Sequence, residues 1–290
     1  MELKELVNFL KVAEYENITR ASKELHIAQP YLTRQIKSLE EELGVTLFIR
    51  EKKRIHITDE GRFLKQQAEQ ILGLTLKTKE QISEMENGIS GTLFIGAIET
   101  VGTLYLPQWI SKFKKRYPKI HYNLWSGNSK DVIERLEKGL IDVALVRGPL
   151  DESKYHMFPI SEENWVVLIN KEHPLSKKSV ISLEDLSKEE LLVPTQRVNE
   201  VTQWFGSKNL DCDIICSFSP LMNGIVMVDH NIGIAILPGS CKQLLYTDKI
   251  IVRDLSEEML SNVFFIYKRE YELPSTAKRF IKFVESDLIE

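Results

Sequence analysis

Gln29, Tyr31, Thr33, Arg34 and Lys37 fall on one side of a stretch whose opposite side carries Leu32, Ile36 and Leu39. Amide, hydroxyl and guanidinium groups so placed can bond base edges, and the cations can bond phosphates. An ordinary solvated helix face has the same pattern, and periodicity alone leaves the two readings level. Further on, Arg50, Lys52, Lys53 and Arg54 crowd around Glu51 as a second cationic cluster. Catalytic chemistry has less support. The chain has no P-loop, G-x-G-x-x-G, G-x-S-x-G or H-E-x-x-H spelling. Its six histidines are dispersed: His26 and His56 accompany the cationic segments, while His121, His156, His173 and His230 share no metal-ligand spacing. Cys212, Cys216 and Cys241 form no C-x-x-C pair, which argues against a zinc site or a disulfide framework. Cys241 is a nucleophile only on paper, because lone buried thiols are far commoner than catalytic ones. The spacing of Cys212 and Cys216 favours a packing role.

The elements that would position these groups are short helices followed by a hairpin. Leu3, Leu6, Phe9, Leu10 and Ala13 recur at helical spacing and predict a first helix that ends before Asn17. Thr19 is expected to cap a short second helix with Ala21 and Leu25 facing inward. After a break at His26-Ile27-Ala28, Pro30 suits a first helical turn. Leu32, Ile36, Leu39 and Leu43 give the stripe of a third helix, stopped by Gly44. This is helix-turn-helix spacing, in which the second helix can lie in a major groove. Residues 45–50 and 54–58 read as the strands of a hairpin with the cationic cluster at its tip. A basic hairpin beside a helix-turn-helix is a winged-helix arrangement, with a wing able to reach backbone or minor groove. The hairpin moves the reading from a solvated face to a DNA-binding one.

From Leu6 through Gly61 the chain resembles the LysR-type transcriptional regulators. The resemblance rests on Asn17-Ile18-Thr19-Arg20-Ala21-Ser22 with Leu25, Ala28-Gln29-Pro30, Thr33-Arg34-Gln35-Ile36, Leu39-Glu40-Glu41-Glu42-Leu43-Gly44-Val45, Leu47-Phe48 and Arg50. It implies a winged helix-turn-helix that binds an interrupted palindrome as a dimer of dimers. Gln29, Pro30, Thr33 and Arg34 match the family's groove-contacting positions, and residues 50–54 its wing. With Thr19, Arg20, Tyr31 and Lys37, and with Arg50, Lys52, Lys53 and Arg54 of the wing, they make up the expected DNA-binding set. Two departures bear on the operator. Ala28 replaces the usual Ser or Thr and removes a side-chain N-cap worth about 1 kcal/mol. Tyr31 replaces a usually small residue, and would add a base contact or exclude some sequences.

Residues 59–87 predict one helix, capped by Thr58, with Asp59 and Glu60 suiting its positive end. Its length is about 43 Å at 1.5 Å per residue. Leu64, Ala68, Ile71, Thr75, Thr78, Ile82 and Met85 form a heptad seam weakened by its two threonines. A partner helix is the natural cover, and the resemblance also implies a dimerising linker here. Gly88-Ile89-Ser90-Gly91 marks a domain boundary.

Residues 92–290 alternate strand-like segments (93–98, 120–125, 141–146, 165–169 and 232–237) with helices (104–117, 129–138 and 200–207), an α/β pattern. Ligands of such sheets sit beyond the strands' carboxyl ends, near helix N-termini. The candidate loops are Glu99-Thr100-Val101-Gly102, Ser126-Gly127-Asn128-Ser129, Arg147-Gly148-Pro149 and Thr195-Gln196-Arg197. The expected effector set is Glu99, Thr100, Val101, Gly102, Ser126, Asn128, Arg147, Gly148, Thr195 and Gln196. This region also resembles the LysR-type effector domain, through Gly91-Thr92-Leu93, Leu106-Pro107, Tyr117-Pro118, the run from Leu136 to Ala144, His173-Pro174-Leu175 and Gly233-Ile234-Ala235-Ile236-Leu237-Pro238. The resemblance implies a fold similar to periplasmic binding proteins, with subdomain I at 92–161 and 266–290, subdomain II at 162–265, and a cleft between. It also places Thr100 at the family's effector-contacting hydroxyl. Arg147 either holds a carboxylate ligand in a bidentate bond or pairs with Glu99. A small organic anion or amino acid is the expected effector.

The formal net charge is −4, from 38 Lys plus Arg against 42 Asp plus Glu, which excludes a polyanion binder held by its overall field. Residues 1–58 carry 10 cations and 9 anions, so positive charge is placed rather than abundant. No apolar run approaches the ~18 residues that span a bilayer, and the charged N-terminus lacks a secretory pattern. A cytoplasmic protein is therefore expected. The expected class is an α+β multidomain chain: a winged helix-turn-helix (1–58), a linker helix (59–87) and an α/β effector domain (92–290). The expected function is effector-modulated, sequence-specific DNA binding, not catalysis; an exported solute receptor would leave the winged helix without a use. Expected partners are double-stranded DNA, a small-molecule effector, a second copy through the linker helix, a homotetramer built from it, and RNA polymerase. No cofactor, metal or membrane is expected.

Overall fold

A computed structural model of the chain describes all residues except 52, 53, 88, 89, 271 and 290. The chain divides into two compact units, Met1–Glu86 and Asn87–Glu290.

The first unit opens with α1 (Leu3–Tyr15), α2 (Ile18–Glu24) and α3 (Gln29–Leu43), followed by β1 (Phe48–Glu51), β2 (Arg54–Ile57) and α4 (Asp59–Asn87). Its core is Leu6, Phe9, Val12, Ile18, Ala21, Leu32, Ile36, Leu39, Leu47, Phe48, Leu64 and Ala68. Leu3 is exposed, and Val12 takes the buried place on α1. The cap of α2 is Asn17, whose side chain accepts the N–H of Arg20 at 3.0 Å. Thr19, expected as that cap, lies inside the helix, because Ile18 is drawn into the core and starts the helix two residues earlier. Ala28 precedes α3 without a side-chain cap bond, and Gly44 ends it at φ 68°, a conformation that costs a glycine nothing.

The hairpin registers Phe48 against Ile57 and Glu51 against Arg54. Residues 45–47, expected as strand, stay outside the ladder, since the Leu47 N–H bonds instead to the Glu40 carboxylate. The hydroxyl of Thr58 accepts the Gly61 N–H at 2.9 Å and caps α4. A Cβ on Gly61 would lie 2.4 Å from the Leu47 carbonyl oxygen, so this close approach of α4 to the wing requires glycine. The predicted heptad seam is split. Leu64 and Ala68 are covered by their own unit, while the same face continues uncovered through Ile71, Thr78 and Ile82, joined by Leu74.

The second unit runs β3 (Gly91–Ile98), α5 (Glu99–Arg116), β4 (Ile120–Gly127), α6 (Ser129–Glu137), β5 (Val143–Arg147) and β6 (Tyr155–Asn170). Then come β7 (Val180–Ile181), α7 (Leu183–Leu186), β8 (Glu190–Pro194), α8 (Val198–Ser207), β9 (Asp213–Phe218) and α9 (Leu221–Asp229). The chain closes with β10 (Ile234–Pro238), β11 (Ile250–Leu255), β12 (Leu260–Lys268) and α10 (Ser275–Ile289). The strand order β4-β3-β5-β12-β6-β10-β8-β9 forms one continuous path, with β11 beside β6 and β7 beside β11.

Two lobes share this path. In lobe I, β3 pairs in parallel with β4 and β5, and β12 runs antiparallel to β5 and to the first part of β6. Lobe II holds the second part of β6 with β10, β8, β9 and β11. The sixteen-residue β6 thus serves both. All of β12 belongs with lobe I, so the return strand begins at Leu260, ahead of the expected residue 266. One core fills lobe I around Trp109, Phe113, Phe265 and Phe280. Lobe II has a core on each face of its sheet, one around Trp165 and Phe205, the other around Phe218 and Leu237.

Candidate nucleic-acid interface and ligand cleft

On the first unit, Gln29, Pro30, Tyr31, Arg34 and Lys37 of α3 are exposed, as are Thr19 and Arg20 of α2. Thr33 differs. It is half-buried, and its hydroxyl oxygen is shut from solvent without a hydrogen-bond partner, so the hydroxyl is not offered to a groove. Arg34 has no ion-pair partner among the described residues. Lys37 lies 3.7 Å from Glu41, an exposed pair of little strength. The Arg20 guanidinium stacks over the Tyr15 ring at 4.7 Å, which orients it. The Tyr31 hydroxyl accepts from the Gln35 amide at 2.9 Å, and Gln35 in turn takes a bond from the buried Asn8 amide of α1. Arg50 and Arg54 stand on the two wing strands. Lys52 and Lys53, between them, lie outside the described residues.

The sequence marks Glu40 only as a member of the run from Leu39 to Val45. Its Oε1 accepts the N–H groups of Leu47 (2.7 Å) and Phe48 (3.1 Å), fastening the recognition helix to the wing. The buried side of α3 carries the apolar stripe, and this clamp ties its far end to the hairpin.

The second unit holds a cavity of about 750 Å³ between its lobes. Strand ends surround it: β3, β4 and β5 from lobe I, β8, β9 and β10 from lobe II. Glu99, Thr100, Ser126, Asn128, Arg147, Gly148 and Gln196, all of the expected effector set, line it. Val101, Gly102 and Thr195 do not. Residues 99–102 are the first turn of α5 rather than a loop, so Val101 and Gly102 turn into the core, and Thr195 is exposed outside the wall. Ser129 and Arg197, members of the candidate loops though not of the effector set, line it too, and Lys130 and the segment Phe218-Ser219-Pro220-Leu221, which the sequence reading left out, complete much of the lining. Asn128 is committed to capping α6, its side chain accepting the Asp131 N–H at 3.0 Å.

Arg147 does not pair with Glu99. It is 8 % exposed, and its Nε and Nη2 donate to Glu163 Oε1 at 2.9 and 2.5 Å. Nη2 also reaches the hydroxyls of Thr100 (3.0 Å) and Ser240 (2.8 Å), while Glu163 Oε2 accepts the Ser240 N–H at 2.6 Å. Burial draws Arg147 below its ordinary value; Glu163 opposes this, and the positive charge of Arg197 adds to it. Nη1 makes no hydrogen bond among the described residues, so it is the group Arg147 can still offer. Glu99 instead accepts the Leu221 N–H at 3.2 Å, across the cleft at the start of α9. Arg197 of lobe II bonds Glu200 at 2.8 Å and faces the same cavity. Helices α5, α6 and α9 all begin at its wall, so positive helix ends and two guanidiniums converge on one space, an arrangement suited to an anion.

Cys241 is buried beside this network, and burial pushes its thiol up to about 12, which leaves it protonated and unreactive at neutral pH. Among the described residues, no group of three or more His, Cys, Asp or Glu could hold a metal ion, and no helix is long and apolar enough to cross a membrane.

A winged helix-turn-helix with an exposed polar recognition face, in one chain with a two-lobed ligand cleft, defines a ligand-responsive DNA-binding regulator. The comparisons agree. Residues 3–62 match the bacterial regulatory helix-turn-helix protein, lysR family, and residues 86–288 match the LysR substrate binding domain. The chain belongs to the LysR family of transcription regulators, which act by binding DNA rather than by catalysis. It is 30 % identical to the HTH-type transcriptional regulator BudR of Raoultella terrigena over 97 % of this chain and 99 % of that one. To the HTH-type transcriptional regulator AlsR of Bacillus subtilis it is 28 % identical, over 97 % and 94 %. The crystal structure of CbnR, a LysR family transcriptional regulator, shares the fold with a TM-score of 0.80 at 22 % identity over 99 % of both chains. Full-length CbnR complexed with its target DNA gives 0.76, also at 22 % identity and 99 % coverage of both.

Proposed function

We propose that α3 enters the major groove of an interrupted palindrome, with Gln29, Pro30, Tyr31 and Arg34 against base edges and Lys37 on phosphate. In this reading Thr19 and Arg20 meet the adjacent backbone, and Arg50, Lys52, Lys53 and Arg54 of the wing reach backbone or minor groove. What carries it is the exposed polar face of α3, with Arg34 free of ion pairs among the described residues, on a helix clamped to a basic hairpin by Glu40. Thr33 contributes its methyl group rather than its hydroxyl. A footprint of the purified protein on the promoter DNA beside its own gene tests the assignment. Arg34→Ala should weaken operator binding by about 1–3 kcal/mol and relax specificity at one base pair. Undiminished affinity would remove Arg34 from the contact set.

The uncovered face of α4, Ile71, Leu74, Thr78 and Ile82, pairs with the same face of a second copy, and two such dimers make a tetramer. The protein acts in the cytoplasm, where its DNA is, with RNA polymerase as its partner at the promoter. The cleft takes a small organic anion or amino acid, held by Arg147 Nη1 from lobe I, Arg197 from lobe II and the first turns of α5 and α6. Two cations on opposite lobes repel until an anion lies between them, so the ligand favours the closed arrangement. That differential affinity is what shifts the equilibrium of the DNA-bound assembly. Calorimetric titration with small acids tests it. Arg147→Ala or Arg197→Ala that left the affinity of a bound acid unchanged would overturn the anchor assignment.

A further inference from the structure

Glu99 is out of keeping with a purely anion-binding cleft. It stands in the cavity wall with Lys130, Arg147 and Arg197, yet it carries the opposite charge. One of its oxygens, Oε2, takes the Leu221 N–H; Oε1 has no hydrogen-bond partner among the described residues. The side chain is neither sunk in the core nor fully exposed and lines the cavity, so solvent water can reach its carboxylate. A ligand that fills the cavity displaces that water. Covering a carboxylate with an anion adds repulsion, and covering it with hydrocarbon leaves it unsolvated and unpaired; both are unfavourable. A ligand that brings an ammonium group to the same place pays neither cost and forms a charge-assisted bond.

Cationic and apolar groups share the rest of the wall. The anion-binding groups, Arg147 Nη1, Lys130 and the first turn of α6, lie along lobe I. Ile98, Ile133, Pro149, Phe218 and Pro220 supply apolar surface. Positive, negative and apolar surfaces thus face one cavity of about 750 Å³, enough for a ligand of drug-like size or smaller.

We infer that the effector is amphoteric, an α-amino acid or close relative with an apolar side chain, whose carboxylate meets the cationic side of the cleft and whose ammonium meets Glu99. This rests on the cleft being the effector site, as proposed above, and narrows that reading from anions in general. Glu99 is then the residue that separates an amino acid from its deaminated counterpart.

The experiment sets the apolar proteinogenic amino acids against the same acids lacking the amine, such as leucine against 4-methylpentanoate and phenylalanine against 3-phenylpropanoate. Binding to the full-length protein is read by calorimetry and by the shift in melting temperature. At least one amino acid should bind, roughly tenfold or more tightly than its deaminated partner. Glu99→Gln keeps an acceptor for the Leu221 N–H but removes the charge. It should weaken the amino acid about tenfold and leave the deaminated acid unchanged or tighter. Deaminated acids that bind as tightly as amino acids, or more so, overturn the inference and leave the anion reading standing. An equal loss for both ligands in Glu99→Gln overturns it too, since that is the mark of a structural role. Failure of both sets to bind at millimolar concentration overturns the inference and the anion reading together.

Discussion

The Arg147–Glu163 pair sets up a quantitative test of what holds the floor of the cleft. Both partners are largely buried, 8 % and 13 % exposed, and their contacts join β5, β6 and the segment after β10. Glu163→Ala leaves a guanidinium in a site from which water is mostly excluded, and also strips the Ser240 N–H of its acceptor. Breaking a buried pair from one side costs about 3–5 kcal/mol. For a unit of this size that is roughly 6–20 °C in melting temperature, at about 2–4 °C per kcal/mol. Arg147→Met should cost less, because Glu163 keeps the Ser240 N–H. The double variant Arg147→Met, Glu163→Met removes both charges, and such replacements commonly end near the parent stability. Urea denaturation of wild type, Arg147→Met, Glu163→Met and the double gives the coupling energy directly. Strong coupling, with the double more stable than Glu163→Ala, is the expected result. Additive single effects each below about 1 kcal/mol would mean a solvated pair with the strength of a surface contact, and the burial argument would be wrong.

Other outcomes follow from equally local geometry. Gly61→Ala places a Cβ 2.4 Å from the Leu47 carbonyl and 2.6 Å from Ile57 Cγ1, and should destabilise the first unit by about 1–3 kcal/mol in urea denaturation. Ile82→Asp, at a site 59 % exposed in the single chain, should leave the monomer's stability within about 0.5 kcal/mol. It should nevertheless lower self-association at least about a hundredfold in sedimentation, since it sets a charge against an apolar copy of the same face. The Tyr155 hydroxyl, with Lys268 behind it, holds the Glu137 carboxylate below its ordinary value. A depressed carboxylate stabilises the fold above its unfolded pKa, about 4.3, and that contribution is lost as pH falls through the lower folded value. Glu137→Gln should therefore flatten the acid limb of the stability profile, measured as the urea midpoint against pH.

Most of the first unit was legible because its signals are local. The stripe of Leu32, Ile36 and Leu39, Pro30 at the start of α3, Gly44 at its end and the Thr58 cap each act within a few residues. The cap of α2 was misplaced by two residues because Asn17 and Thr19 are both competent, and only burial of Ile18 decides between them. The seam of α4 was read with the right face, but which part of that face its own unit covers is a tertiary fact. In the effector unit the strands β3, β4 and β5 stood out as apolar runs beside regular helices. The strands β8, β9, β11 and β12 did not, and with β9 went the Phe218–Leu221 wall of the cavity. Glu163 could not be found at all. It is a charged residue in mid-strand whose partners stand 16 and 77 positions away, and nothing in its neighbourhood marks it.

The link from lobe I to lobe II is a strand and not a loop. β6 passes from one to the other unbroken, and β12 lies against it from Tyr155 to Asn164, with a bulge between Val263 and Phe264 short of the crossing. A change in the angle between lobes must therefore twist a paired ribbon, which acts as a torsion spring rather than a free hinge. Such a spring limits the amplitude of closure and returns the cleft to rest when the ligand leaves. It also makes the lobes unfold as one body. The amides of β6 at the crossing should then exchange with solvent more slowly than those of the strands at either margin of the sheet, β4 and β9.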